Sequence, residues 1–398
     1  MIDNFTFNLN TKLYFGKDEE NNIGKILKEN NAKRILLVYG QGSVKRSGLL
    51  DRVIKCIELE NIVVIEYGNI RPNPTVESVI IGIDLCKEYN IDYIVAVGGG
   101  SAMDAAKLIA TGFYYDGNPF DISLKKYIPK KALPLGVIVT IAASGSEMST
   151  SCVIQDDLTG IKRGYNSEFN RPIFAIENPE LTYSVPKNQT GYGIVDILMH
   201  TLERYFSHSV SENEPADAFS EVLLKETLKS GLIVYNNPFD YESRANLLLL
   251  SSFSHNGLTS IGKNYSMPVH QMEHVLSGLY PSVAHGAGLA ALFPTWARYY
   301  IDYDLDKFDR FARNVFGSYL SNKKENAKIG IDKLVEYFKM LGMPLSFKEL
   351  GINNPDIEKM VDLLSENKTR TIKHHKKDLS LEAMKIIYSS LMSEGENK

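Results

Sequence analysis

From Lys33 to Val185 the chain alternates short apolar runs, rich in β-branched residues, with stretches whose apolar positions recur at helical spacing. The runs at 34–39, 62–67, 92–97 and 135–140 are nearly continuous in Ile, Leu and Val. That pattern predicts strands covered on both faces, as in a parallel sheet. Between them, 45–60 and 76–89 read as helices, the second starting from Asn73 as N-cap and Pro74 at the first helical position. Beyond Pro186 the strand signals fade. Amphipathic stretches at 188–207, 216–232, 241–254, 329–341 and 381–392 take over. The expectation is two domains, an α/β nucleotide-binding domain at 1–185 with a parallel sheet and an all-α metal-binding domain at 186–398.

In an alternating α/β domain, nucleotide chemistry belongs at the carboxyl ends of the strands. Three glycine- or serine-rich loops follow predicted strands there, at 39–43, 98–101 and 142–147. Gly98-Gly99-Gly100-Ser101 turns directly from a strand into a helix, so its backbone N–H groups and the helix N-terminus suit a pyrophosphate. It is neither the Gly-x-Gly-x-x-Gly fingerprint nor a P-loop. A plain tight turn is the alternative, and the position after a buried strand favours phosphate.

The helical half carries a second chemistry. Asp196 and His200 stand four apart in Gly193-Ile-Val-Asp-Ile-Leu-Met-His200, His270 and His274 repeat that spacing, and His285-Gly286 follows. Spacing i,i+4 puts both side chains of a pair on one helix face. Imidazoles with one carboxylate suit a divalent ion of intermediate hardness. Either pair alone is more often an ordinary core or surface pair, but four of the chain's eight histidines fall in these two pairs and at His285.

Composition narrows the class. A chain of 398 residues with 44% hydrophobic and 23% charged residues is ordinary for a globular protein. A net charge of −4 without a basic stripe offers no nucleic-acid footprint. The three cysteines, Cys56, Cys86 and Cys152, are scattered, which argues against a disulfide framework or a thiolate metal site. No apolar run reaches the length of a membrane span and the N-terminus has no signal-peptide pattern, so a cytoplasmic protein without a membrane partner is expected. The basic run 368–377, with His374 and His375, reads as a solvated loop.

Taken together, Pro72-Asn-Pro74, Gly98-Gly-Gly-Ser-x-x-Asp-x-x-Lys107, Gly145-Ser-Glu147, Asp196-x3-His200, His270-x3-His274 and His285-Gly-x-Gly-Leu289 resemble the iron-containing alcohol dehydrogenase family. The resemblance spans nearly the whole chain and is nearest the butanol dehydrogenase and broad-range aldehyde reductase branch. It implies a dehydroquinate synthase-like fold and a metal held by Asp196, His200, His270 and His285. It places His274 beside the nicotinamide as a proton-transfer residue, with Asp104 as a further catalytic candidate. The implied cofactor residues are Gly40, Gly42, Ser43, Asn73, Gly99, Gly100, Ser101, Asp104, Thr140, Ser144, Ser149 and Lys162.

Three departures from the family pattern stand out. His270 and His285 are separated by one residue more than is usual, so 280–284 must absorb it in a loop. Lys263-Asn-Tyr-Ser-Met-Pro268 replaces the usual run before the third ligand, and Pro268 should begin or kink the helix. Ser144 stands where threonine is frequent. The loop Gly40-Gln41-Gly42-Ser43 lacks the carboxylate that NAD-preferring relatives carry, which implies NADP(H) with NAD(H) as the alternative. Ser43 and Lys45 or Arg46 are then candidate contacts for a 2′-phosphate.

The implied reaction is reduction of an aldehyde such as butanal to a primary alcohol, with one divalent metal, Fe2+ ahead of Zn2+, as Lewis acid. A zinc polyol dehydrogenase or a dehydroquinate synthase-like lyase is the rival enzyme reading, and a silent nucleotide-binding scaffold the rival of another class. The resemblance also implies a homodimer, with residues 5–9 and 13–15 as a candidate edge hairpin.

Overall fold

The four predicted strands form and are joined by others. In chain order the strands are β1 (Lys12–Phe15), β2 (Arg34–Gly40), β3 (Val63–Ile70), β4 (Tyr93–Gly98), β5 (Leu135–Val139), β6 (Ser151–Asp156), β7 (Ile161–Asn166) and β8 (Phe174–Glu177). The computed structural model describes residue 2 and residues 4–206 and 213–392. The predicted end of the 188–207 helix at Ser207 therefore lies outside the described residues.

The helices of the first part are α1 (Ile23–Glu29), α2 (Ser43–Arg46), α3 (Leu49–Glu58), α4 (Val76–Glu88), α5 (Gly100–Gly112) and α6 (Phe120–Ser123). Those that follow are α7 (Lys187–Phe206), α8 (Glu214–Asn236), α9 (Tyr241–His255), α10 (Pro268–Leu279), α11 (His285–Tyr300), α12 (Leu305–Phe316), α13 (Lys323–Met340), α14 (Ile357–Leu364) and α15 (Leu381–Ser390).

Six strands make one sheet in the order β1-β8-β5-β4-β2-β3, parallel at every pairing. Successive residues of a strand face opposite sides, and both sides here are apolar. Leu36, Val38, Ile94, Ala96, Val137 and Val139 pack with Val79 and Ile83 of α4 and Leu108 and Ile109 of α5. Leu37, Val95, Val97 and Ile138 pack on the other face with Ile23 and Leu27 of α1 and Val53 and Ile57 of α3. This double cover explains the continuous hydrophobic runs.

Several expectations need correction. The single helix at 45–60 is two, α2 and α3, parted at Gly48, whose φ of +71° favours glycine. The cap of α4 is Thr75, whose Oγ1 accepts from Ser78 N at 3.2 Å, whereas Asn73 takes a left-handed conformation in the preceding turn. Residues 4–11 form no strand, so there is no N-terminal hairpin, and β1 pairs in parallel with β8. The antiparallel pair β6–β7 and the strand β8 were not anticipated. His374 is buried and His375 half-buried instead of solvated. His374 packs against Tyr300 and Trp296, and His375 Nε2 lies 3.4 Å from Asp304, while neighbouring Lys373 carries the exposure.

The chain divides into two compact units, one of 8–185 with 239–256, the other of 1–7, 186–238 and 257–398. Residues 1–7 and 239–256 thus group across the cut expected after Val185. For α9 the reason is visible: Ser251 Oγ accepts from Ala143 N and Gly145 N, each at 3.1 Å. A Cβ on Gly145, φ +61°, would lie 2.5 Å from Ser251 O. In the helical unit, α7 is buried on every side from Gly193 to Phe206, the mark of a central helix. Pro268 is the first residue of α10, as its missing N–H requires.

Beside Ser251, Ser252 Oγ lies 2.7 Å from Glu147 Oε1 and 2.7 Å from Glu177 Oε1. A hydroxyl has one proton to donate, so the second contact needs a protonated carboxyl donating back. Burial and then the charge of Glu147 push Glu177 up to about 8, which makes it the protonated partner. The folded state then binds this proton more tightly than the unfolded chain, so stability declines as pH rises from about 4.5 to about 8. Denaturant unfolding across that window is expected to show the decline in the wild type and a flatter profile in Glu177→Gln. Parallel profiles would remove the proton from Glu177.

Candidate metal and cofactor sites

Within the helical unit, α7 presents Asp196, His200 and Glu203 at i, i+4 and i+7, on one face, and all three are buried. α10 contributes His270 near its start, and α11 contributes His285 as its first residue. Around Asp196 Oδ1 stand His200 Nδ1 at 3.5 Å, His270 Nε2 at 3.6 Å and His285 Nε2 at 3.7 Å. These separations are too long for good hydrogen bonds. In length they suit the three edges that meet at one corner of a coordination tetrahedron, since bonds of about 2.1 Å keep ligand atoms about 3.4 Å apart.

Asp196 Oδ1 and His270 Nε2 are both buried without a hydrogen-bond partner among the described residues. Such a pair is costly unless something else satisfies both. A cation does so, and the donor set of one carboxylate and three imidazoles fits a divalent ion. Electrostatics agree. Burial opposes a positive charge on His270, yet the carboxylates of Glu203 and Asp196 outweigh it and raise its pKa to about 9. The surroundings of that ring favour a cation.

Two more carboxylates complete the picture. Glu203 Oε2 contacts His270 Nδ1 closely and also accepts from His270 N at 3.2 Å, while Oε1 accepts from Val269 N at 2.6 Å. Glu273 Oε2 is in close contact with His285 Nδ1. Gly288 makes room for it, since a Cβ there would lie 2.9 Å from Glu273 Cγ. Gly286 does the same for α7, because a Cβ on it would sit 2.3 Å from Tyr192 O. Neither glutamate was singled out from the sequence, although each sits at same-face spacing from a candidate ligand.

His274 lies one turn beyond His270, half-buried, its ring 6.4 Å from that of His270 and 5.6 Å from that of His285. Asp196, His270 and His285 bring ligand atoms within 4.8 Å of one another, with His200 Nδ1 beside Asp196, and Glu273, His274 and His285 form a second such group. The Glu273 carboxylate already meets His285 Nδ1, so this second grouping is a hydrogen-bonded one, and the cluster on Asp196 is the better cation site.

In the sheet unit, the chain leaves β2 toward β3 on one side and β4 toward β5 on the other. The crevice at the carboxyl ends of β2 and β4 is therefore the topological switch point, where such sheets bind nucleotides. Gly40 ends β2, Gly42 lies in the turn that follows and Ser43 begins α2, while Gly99, Gly100, Ser101 and Asp104 lie in the turn after β4 and the first turns of α5. Thr140 and Ser144 lie in the loop after β5. A Cβ on Gly99 would meet Ile141 Cγ2 at 2.6 Å, and one on Gly100 would meet Ser144 Oγ at 2.7 Å. The glycines thus allow this loop against the turn.

Asn73 precedes α4, joined to β6 through Gln155 N donating to Pro74 O, and Lys162 is on β7 opposite Gln155. Ser149 is only 1% exposed, and its hydroxyl accepts from Lys107 Nζ at 3.2 Å. Its place is behind the loop, as a support. Asp104 is also engaged, Oδ1 accepting from Ser146 Oγ at 2.9 Å and Oδ2 from Val153 N at 3.0 Å. Burial raises its pKa.

A parallel nucleotide-type sheet unit and a helical unit with a buried cluster of one aspartate and three histidines define a class of metal- and nucleotide-binding proteins. The sequence pattern described as iron-containing alcohol dehydrogenase matches residues 10–179, and that of the C-terminal part of the Fe-containing alcohol dehydrogenase family matches 190–392. The chain belongs to the iron-containing alcohol dehydrogenase family. It is 40% identical over 372 residues to NADH-dependent butanol dehydrogenase A of Clostridium acetobutylicum, covering 92% of this chain and 94% of that one. It is 30% identical over 394 residues to the NADPH-dependent aldehyde reductase YqhD of Escherichia coli, covering 98% and 100%. The crystal structure of NADH-dependent butanol dehydrogenase A from Thermotoga maritima matches with a TM-score of 0.94 at 33% identity, over 98% of this chain and 99% of that one.

Proposed function

We propose that the protein is a metal-dependent, nicotinamide-linked alcohol dehydrogenase that reduces small aldehydes such as butanal to primary alcohols, and the reverse. The observation that carries this reading is the set of three imidazole nitrogens 3.5, 3.6 and 3.7 Å from Asp196 Oδ1. Asp196, His200, His270 and His285 would hold one divalent cation, Fe2+ first and Zn2+ second. When bound, such a cation supplies Lewis acidity toward a carbonyl oxygen, and the reduced nicotinamide supplies the hydride. His274 delivers the proton to the product alcohol and takes it back in the reverse direction. Asp104 fixes Ser146 and Val153, and through them the loop that receives the cofactor.

For the cofactor, NADP(H) is the proposed preference. The loop Gly40-Gln41-Gly42-Ser43 has no carboxylate to repel a 2′-phosphate, and Ser43, Lys45 and Arg46 are exposed beside it. Relatives named for NADH and for NADPH both occur, so the choice rests on this loop. Arg46→Ala is expected to lower kcat/KM for NADPH about tenfold, the worth of one charge-assisted contact, with little change for NADH. Equal losses with both cofactors would remove the 2′-phosphate contact.

A homodimer is proposed from β1, which ends the sheet at an open edge, and light scattering on the purified protein tests it. Cytoplasmic action is proposed from three free cysteines. Among the described residues no helix is long and apolar enough to cross a membrane. The deciding experiment pairs elemental analysis with nicotinamide oxidation by butanal, and glycerol with NAD as the contrasting arm. Stoichiometric metal and butanal-dependent NADPH oxidation are expected. Turnover of glycerol alone would shift the reading to a polyol dehydrogenase.

A further inference from the structure

We propose that Glu203 and Glu273 are positioning residues that hold His270 and His285 as Nδ1–H tautomers, so that each ring turns an unprotonated Nε2 toward the cation gathered on Asp196. The inference rests on the metal reading of that cluster and extends it beyond the four ligands. A carboxylate is an acceptor only, so a ring nitrogen in close contact with one must carry the hydrogen. Glu203 Oε2 meets His270 Nδ1, and Glu273 Oε2 meets His285 Nδ1. When a metal binds, the remaining nitrogen of each ring gives up any proton it holds and becomes the lone-pair donor. In both rings that atom is the one near Asp196 Oδ1, Nε2 at 3.6 Å for His270 and at 3.7 Å for His285.

The arrangement is built twice from different parts. Glu203 on α7 reaches across to a histidine of α10, and Glu273 on α10 reaches across to a histidine of α11. Each carboxylate therefore locks the next helix onto the site. Both are essentially inaccessible, at 1% for Glu203 and 0% for Glu273, where an ionised group is tolerated only against fixed donors or positive charge. Glu203 has two backbone N–H groups of α10 besides the ring, so it also caps the helix that carries His270. Gly288 leaves the space that Glu273 occupies. Carboxylates in this relation to ligand imidazoles fix ring orientation and raise ligand basicity.

The test uses the full-length protein, stripped of metal by chelation, with Zn2+ as the probe in competition against a chromophoric chelator. Glu203→Gln and Glu273→Gln are each expected to bind Zn2+ about 10- to 100-fold more weakly than the wild type. A purely structural role predicts instead a lower melting temperature of the stripped protein with Zn2+ affinity retained, and that result overturns the proposal. Should Glu203→Gln fail to fold for want of its helix cap, Glu273→Gln decides, since Glu273 lies inside its helix.

Histidine-15N spectra of the Zn2+-loaded wild type provide a readout independent of both variants. Protonated Nδ1 and metal-shifted Nε2 at His270 and His285 are expected, and coordination through Nδ1 at either ring overturns the proposal. If the wild type takes up no Zn2+ at all, the metal reading itself fails, which is a different outcome from intact uptake insensitive to the glutamates.

Discussion

His270→Ala is expected to leave the protein folded, without stoichiometric metal, and with aldehyde turnover lowered by about 10³-fold or more. The figure follows from the several kcal/mol of charge stabilisation that a Lewis-acid cation contributes, at about 1.4 kcal/mol per factor of ten. His270 is the ring at the middle of the cluster. Its centroid lies 4.6 Å from that of His200 and 5.3 Å from that of His285, and its Nε2 is buried without a hydrogen-bond partner among the described residues. Removing it leaves three candidate ligands and a hole on the α10 side.

Glu203 keeps the backbone N–H of Val269, so the variant retains part of the α10 cap. The measurements are metal content after purification, butanal-dependent oxidation of NADPH, and quenching on NADPH binding. The last should survive, because the cofactor candidates belong to the sheet unit. Full metal with full turnover would mean that Asp196 and the three histidines around it are not the ligand set.

Much of this is legible in the sequence, and the physical reason is coverage. β2, β4 and β5 are packed on both faces, so their sequences are unbroken apolar runs that little else produces. By contrast β6 and β7 carry Gln155, Asp156, Lys162 and Arg163, and in β7 only Tyr165 is buried. A half-buried hairpin of that composition reads like a loop. The place of α9 with the sheet unit depends on Ser251 and Ser252 reaching residues about a hundred positions away, which no local pattern encodes.

The ligand candidates were legible because imidazoles are scarce and their spacing matched a helix turn. Glu203 and Glu273 obeyed the same spacing, but glutamates on helices are common and usually solvated, so position alone did not single them out. Which nitrogen of each ring faces Asp196 is set by contacts between helices. His374 and His375 show the opposite failure: a run of lysines suggests solvent, while the His374 ring turns inward against Trp296 and Tyr300 and His375 lies against His374 and Asp304.

Lys107→Met is expected to cost about 3–5 kcal/mol of stability, the range for breaking a buried charged cluster on one side, and to abolish tight NADPH binding. Lys107 is 0% exposed on α5, one turn beyond Asp104. Its Nζ lies 2.7 Å from Ser146 O, 2.8 Å from Ser146 Oγ and 2.8 Å from Ser151 O. Ser149 O and Oγ stand at 3.2 Å. Burial pulls the Lys107 pKa down, yet three N–H donors among five oxygens is the setting of an ammonium. Methionine fills similar space and supplies no donor. The carbonyls of Ser146, Ser149 and Ser151 would then be buried without it, each at about 1–3 kcal/mol before relaxation.

Asp104 would also lose its nearest positive charge. Burial already raises its pKa, so it would take up a proton more readily and hold Ser146 and Val153 less firmly. The segment from Ser146 to Val153 continues the loop whose Ile141 and Ser144 lie against Gly99 and Gly100, and its release should be felt at the phosphates. Arginine should not rescue, because a planar guanidinium needs room that a fully buried ammonium site lacks. Urea unfolding gives the stability difference and NADPH titration gives the binding. A variant within about 1 kcal/mol of the wild type, below the cost of a single orphaned buried carbonyl, would show that water can replace the ammonium in this cage.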